Sequence, residues 1–334
     1  MVTLLREPAR PAAIREHPLA PWFAVATVCF GAFMGQLDAS VVTVAFPALQ
    51  RQFGTGLAAT QWVSLGYLLV LTALLVPAGR WSDRAGRKLL YLYGFVVFSA
   101  ASAACGLAPS LGVLIALRLV QAAGAALLQA NSVALVVTSV PARTRRAALG
   151  VQAAAQAVGL ACGPVVGGVL VGTVGWRWVF LINVPVGLLA VLAGWYLLPR
   201  TRRFGDPAAV HLGVGGADLG GMGLLAVSTS AGMLAVSSLS GLGLPVWAVA
   251  ACVAAAVTAG AGLVRHSWRA AAPLLDLRAL AAAGTGPALG GALCAYLVLF
   301  PQVVSARGGS AASAGLLLTA LPSVVHQECV SLSE

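Results

Sequence analysis

Long apolar runs, each broken by a short basic or Gly/Pro-containing segment, set the pattern of this chain. A helix that crosses a bilayer needs about 20 consecutive, mostly apolar residues. Runs of that kind occupy 22–46, 60–79, 89–107, 111–137, 146–172, 176–198, 217–239, 245–265 and 281–304, and a shorter run at 311–325 makes a tenth. The pattern therefore predicts an all-α polytopic membrane protein. The segment before Trp22 is polar, Pro-rich and basic. The apolar run after it is too long for the h-region of a cleavable signal.

Composition narrows the classes further. Of the 334 residues, 60% are hydrophobic and only 9% charged, whereas a soluble domain carries about a quarter charged residues. A disordered chain would need the opposite balance. Most of the surface must face a lipid bilayer.

The formal net charge is +11, which in a soluble protein would suggest nucleic acid. Placement decides otherwise. With the N-terminus inside, cytoplasmic segments hold Arg6, Arg10 and Arg15; Arg80, Arg84, Arg87 and Lys88; Arg143, Arg145 and Arg146; Arg200, Arg202 and Arg203; and Arg265, Arg269 and Arg278. That is 16 of the 20 basic residues. Arg51, Arg177 and Arg307 fall on the other side, and Arg118 falls within a span. The bias is a positive-inside signal for a multi-pass cell-membrane protein with a cytoplasmic N-terminus, and nucleic acid is not an expected partner.

Ionisable groups inside spans are costly and point to function. Asp38 lies in the first span and Arg118 in the fourth. Burial disfavours the charged form of a lone carboxylate, which suits Asp38 to load and release a proton; the alternative is a permanent structural pair. Arg118 stays charged, so it can bind an anionic partner or bias a nearby acid. Gln36, Gln121, Gln152, Gln156 and Asn183 also lie in or beside spans. Amides there either join helices or line a solute pathway, and both uses stay open. In the fifth span Gly159, Gly163 and Gly167 recur every four residues beside Pro164 and Gly168, a spacing that lets helix backbones approach closely. Asp218 is placed to cap a helix start.

Enzyme chemistry is not expected. No paired acids, His clusters or nucleophile motifs occupy the spans, and His17, His211, His266 and His326 read as loop or tail residues. The cysteines show no metal-ligand spacing. No catalytic residue, metal or cofactor is therefore predicted.

One segment carries a family pattern. GRWSDRAGRK, from Gly79 to Lys88, resembles the G-x-x-x-D-R-x-G-R-[KR] signature of the major facilitator superfamily, with Gly79, Asp83, Arg84, Gly86, Arg87 and Lys88 filling its positions. Such a charge cluster would latch the cytoplasmic side closed. The stretch with Arg118, Gln121, Gly124 and Ala126 is similar to the family's proton-coupling element, with Ala122 in place of its first glycine. GLACGPVVGG resembles the antiporter helix. LDASVVTVAFPAL (37–49) and WRWVFLINVPVG (176–187) resemble the fourteen-span drug:proton antiporter branch, with Thr43 where an Asn is often seen. Two extra apolar runs between the halves fit that branch too.

The resemblance implies a major facilitator fold, with about ten of an expected fourteen spans present. It implies a cytoplasmic segment 1–21, a six-helix half over 22–198, and a linker with two extra helices over 199–265. The start of a second half follows over 266–325, with an atypical tail over 326–334. It also implies proton-coupled efflux of drugs or other small hydrophobic or cationic compounds, with Asp38 and Arg118 coupling protons and Gln36, Gln121, Gln152 and Gln156 on the solute pathway. The family pattern stops near residue 325, so the chain reads as C-terminally truncated. A non-transporting fragment or relic of such a transporter is the alternative, and the solute itself is not named.

Overall fold

The computed structural model describes residues 10–201, 218–238 and 245–270. Every regular element among them is helical. In chain order these are α1 (Ala12–Arg15), α2 (Ala20–Phe53), α3 (Leu57–Ala85), α4 (Arg87–Gly106) and α5 (Leu111–Ser139). They continue with a 3-10 turn (Ala142–Thr144), α6 (Arg145–Thr173), α7 (Trp178–Leu181), α8 (Asn183–Leu197), α9 (Leu219–Ser237) and α10 (Val246–Arg269).

Among the described residues seven helices are long and apolar enough to cross a membrane, with α7 and α8 counted as one span. Six correspond to the first six predicted runs and one to 245–265. The run at 217–239 yields a shorter apolar helix over Gly220–Ala235. The runs at 281–304 and 311–325 lie outside the described residues. The count of ten is thus not reached among those described. His266 lies inside α10 rather than in a loop.

The spans overrun their apolar cores. Helix α2 has 34 residues, because Gln50, Arg51 and Gln52 are good helix formers and extend it beyond the hydrocarbon. Gly54, at φ 62°, then stops it, its N–H donating to the Gln50 carbonyl. Helix α5 starts on Ser110, whose hydroxyl accepts from the Val113 N–H at 3.4 Å, and α9 starts on Asp218, which accepts from the Gly221 N–H at 2.8 Å.

The chain divides into two compact units, Met1–Leu263 and Val264–Glu334. The first is a helix bundle; of the second, the described residues form only the last turn of α10. Within the bundle, α2, α4 and α5 are the most enclosed spans. Lipid is as apolar as leucine, so burial alone does not hold such a bundle together; close backbone approach and interhelical hydrogen bonds do. The glycines at every fourth position of α6 supply the approach. A Cβ at Gly159 would sit 2.5 Å from the Phe33 carbonyl oxygen, and one at Gly167 would sit 2.9 Å from Val41 Cγ2. At Gly163 it would overlap Ser40. All three face α2. Gly168 faces open space, so it does not belong to this seam, and α6 runs on through Pro164 without a break.

Two apolar clusters fill the bundle. One gathers Val28, Met34, Tyr67, Tyr91, Phe95, Phe98 and Leu128. The other gathers Val41, Leu49, Val63, Cys105, Leu114, Trp176 and Phe180. Along α2, α4 and α5 the two meet at Asp38, Ser102 and Arg118. These three polar residues therefore lie on one level, between the two apolar clusters.

Candidate functional site

Helix α2 carries Asp38 and α5 carries Arg118, and both side chains are fully buried. They form an ion pair, Arg118 Nη1 donating to Asp38 Oδ2 at 2.6 Å. Gln121, one turn beyond Arg118, donates to Asp38 Oδ1 at 3.0 Å and to Ser102 Oγ at 2.6 Å, and its Oε1 accepts from Arg118 Nη1 at 2.7 Å. Asn183, at the start of α8, donates to Asp38 Oδ1 at 2.8 Å. Arg118 Nε donates to the Val63 carbonyl at 3.2 Å, and its guanidinium lies over the Tyr67 ring, 4.0 Å from the centroid. The Phe180 ring lies at 5.7 Å. Arg118 Nη2 is buried with no partner among the described residues.

The carboxylate is thus not a lone acid: it is paired with Arg118, the arrangement that the sequence left open as its alternative. It accepts from three side chains, and helices α2, α3, α4, α5 and α8 all contribute to its surroundings. An ion pair in so dry a place is stable only while both partners keep their charges, because removing one leaves an uncompensated buried charge. The arrangement can therefore store a change of protonation as a change of packing.

The amides divide between uses. Gln121 and Asn183 belong to the ion-pair network. Gln36 lines a cavity of about 110 Å³ between α2, α3 and α5, together with Gly35, Ala39, Tyr67, Gln129 and Ser132. Gln152 donates to Ser132 Oγ at 2.6 Å and is buried behind it. Gln156, one turn on, is half-buried and outside the cavity lining. Sequence reasoning noted Asn183 without assigning it a role, and it passed over Ser102 and Tyr67. A tyrosine inside the second apolar run was the available signal; Ser102 sits among alanines and gives none.

The Gly79–Lys88 segment is not a loop. Helix α3 runs to Ala85 and α4 begins at Arg87, so Gly86, at φ 108°, is the whole break. Glycine, which has no Cβ, adopts that conformation at little cost. Asp83 pairs with Arg87 at 2.5 Å across the break, with both side chains partly exposed. Lys88 points the other way: it is buried, and its Nζ donates to the Trp195 and Leu198 carbonyls, each at 2.8 Å. A cation there satisfies the carbonyls that end α8 and meets the negative end of its dipole. Arg10 Nε donates to the neighbouring Leu197 carbonyl at 2.6 Å, and burial lowers the pKa of Arg10. A Cβ at Gly79 would reach only ordinary contact with Ala130, at 3.9 Å. The close approach is made elsewhere, at Gly94 and Gly124 between α4 and α5, where a Cβ at Gly124 would lie 2.6 Å from the Phe98 nitrogen.

Among the described residues no three His, Cys, Asp or Glu side chains converge as a metal site would need, and Cys29, Cys105, Cys162 and Cys252 are free thiols.

Residues 28–210 match the family profile described as the Major Facilitator Superfamily, more than half of the chain. The chain belongs to the major facilitator superfamily. Members of this superfamily that it resembles include an uncharacterized MFS-type transporter, Rv1250, of Mycobacterium tuberculosis, 40% identical over 60% of this chain and 34% of the relative. The riboflavin transporter RibZ of Clostridioides difficile is 35% identical over 54% of this chain and 39% of the relative. The methylenomycin A resistance protein of Streptomyces coelicolor is 35% identical over 92% of this chain and 63% of the relative. The chain thus spans between about a third and two thirds of the length of these relatives. The major facilitator fold is seen also in a bacterial homolog of the human lysosomal transporter Spinster, solved in an inward-facing, occupied conformation. The likeness there has a TM-score of 0.52 at 20% identity, over 78% of this chain and 64% of that one. The superfamily is one of membrane transporters rather than enzymes.

Proposed function

We propose that this chain supplies the proton-coupling helices of an antiporter of the fourteen-span drug:proton branch. The antiporter exports small hydrophobic or cationic compounds across the cytoplasmic membrane as protons flow inward. The observation that carries this reading is the buried Asp38–Arg118 pair at the junction of the two apolar clusters.

A proton arriving from outside bonds to a carboxylate oxygen of Asp38 and neutralises it. Arg118 keeps its charge and becomes a lone buried cation, a state that costs several kcal/mol. Only a changed surrounding relieves it, so protonation biases the bundle toward its other arrangement. Release of the proton on the inner side re-forms the pair. In transporters of this kind two halves rock about a central site, and the cavity beside Gln36 lies next to the pair. The Asp83–Arg87 cluster at the α3–α4 break serves as the cytoplasmic latch. Arg10, the α3–α4 break and the end of α8 share one end of the bundle, and their positive charge supports a cytoplasmic position for that end.

Relatives named for methylenomycin A resistance and for tetracenomycin C resistance and export support the solute class. The test is proton-driven ethidium export from cells that carry this transporter, with and without Asp38→Asn. Loss of export on substitution is expected, and undiminished proton-coupled export would contradict the reading.

A further inference from the structure

Tyr67 has two neighbours that the proposed cycle must connect. One face of its ring lies under the Arg118 guanidinium, 4.0 Å from the charge centre. The same side chain forms part of the wall of the 110 Å³ cavity. It is buried to all but 2%, so it is a partition rather than a surface residue.

We propose that Tyr67 is the positioning residue that lets occupancy of this cavity act on the Asp38–Arg118 pair, and that the cavity is a subsite for a small apolar substituent of the transported solute. The proposal rests on the coupled-transport reading above and deepens it.

Three observations lead there. First, the named cavity walls carry no ionised group; Gly35, Ala39, Gln36, Gln129 and Ser132 offer small apolar surfaces and neutral polar atoms. A cavity of about 150 Å³ takes up benzene, so the smaller one here suits an alkyl or small-ring group. Second, helix α3 holds Arg118 twice, through the Val63 carbonyl and, one turn later, through the Tyr67 ring. A group that pushes on Tyr67 from the cavity therefore moves both supports of the guanidinium together. Third, Arg118 Nη2 has no partner among the described residues, so that edge can take a new one when the ring shifts. Cations over aromatic faces are attracted most strongly where water is excluded, as here. The titratable or charged groups around the pair are Asp38 from α2, Arg118 from α5, Cys105 from α4 and Tyr67 itself from α3.

The experiment measures ethidium binding to the purified chain in lipid nanodiscs, by fluorescence, at acidic and alkaline pH. Ethidium is expected to bind the unsubstituted chain several-fold more weakly in acid, because solute and proton favour opposite states of the pair. Tyr67→Phe keeps the ring and is expected to keep that pH dependence. Tyr67→Leu should still bind ethidium but with the pH dependence lost, as in Asp38→Asn. Full pH dependence in Tyr67→Leu would overturn the proposal. Should Tyr67→Leu not fold, Ala39→Leu decides: it adds bulk to the cavity wall, and unchanged ethidium affinity in it would overturn the subsite. Absence of pH dependence in the unsubstituted chain would instead overturn the coupled-transport reading.

Discussion

The seam between α2 and α6 allows a sharp test of how the bundle is held together. A Cβ at Gly159 would lie 2.5 Å from the Phe33 carbonyl oxygen and 3.2 Å from Phe33 Cα, all backbone atoms that cannot rotate away. Ordinary contact begins at 3.4 Å, so Gly159→Ala must push the two helices apart by about 0.9 Å. Overpacking of this kind costs about 1–3 kcal/mol. At about 2–4 °C for each kcal/mol, the expected fall in Tm is roughly 2–12 °C. Gly168→Ala, on the same helix but facing open space, is the matched control. It gains the better helix former, worth about 0.5–1 kcal/mol, and its Tm should hold or rise. Tryptophan fluorescence during thermal unfolding of both variants in one detergent measures the difference. Equal Tm values for the two would refute the argument that α6 is seated on α2 through its glycines.

Other outcomes follow from the same geometry. Asp38→Asn or Arg118→Gln alone should each lower stability by about 3–5 kcal/mol, while the double variant should recover part of that loss; a thermal double-mutant cycle reads the coupling. Lys88→Met leaves the Trp195 and Leu198 carbonyls without their cation and should cost about 1–3 kcal/mol. Arg87→Met breaks only the partly exposed pair with Asp83, and should change stability by less than about 1 kcal/mol. Gly86→Val forces a β-branched residue to φ 108°, at a cost of about 1–3 kcal/mol, again read as a loss of Tm.

The spans and their order could be read directly, because apolar length is imposed by the bilayer and each run is bounded by charge, Gly or Pro. Their ends could not: Gln50, Arg51 and Gln52 look like a loop by polarity yet continue α2, since a helix does not stop where the membrane does. By the same effect the segment between the runs 60–79 and 89–107 is helical on both sides of Gly86. Asp38 and Arg118 were visible as charges out of place, but their pairing was not, since 80 residues separate them and only packing brings α2 and α5 together. Asn183 and Ser102 were harder still. A neutral amide or hydroxyl in a span costs little, so nothing along the chain marks it as a ligand of a distant carboxylate. The glycine seam was legible as a spacing, although only the structure shows that Gly159, Gly163 and Gly167 face α2 while Gly168 does not.

In the proposed cycle Asp38 takes up and releases a proton rather than staying a permanent half of a structural pair. Infrared difference spectroscopy of the chain in lipid nanodiscs, recorded across a pH titration, tests it most directly. A protonated-carboxyl C=O band that appears in acid and is missing in Asp38→Asn is expected. A spectrum whose pH-dependent carboxyl bands are the same in both proteins would show that Asp38 does not titrate and would overturn the proposed cycle.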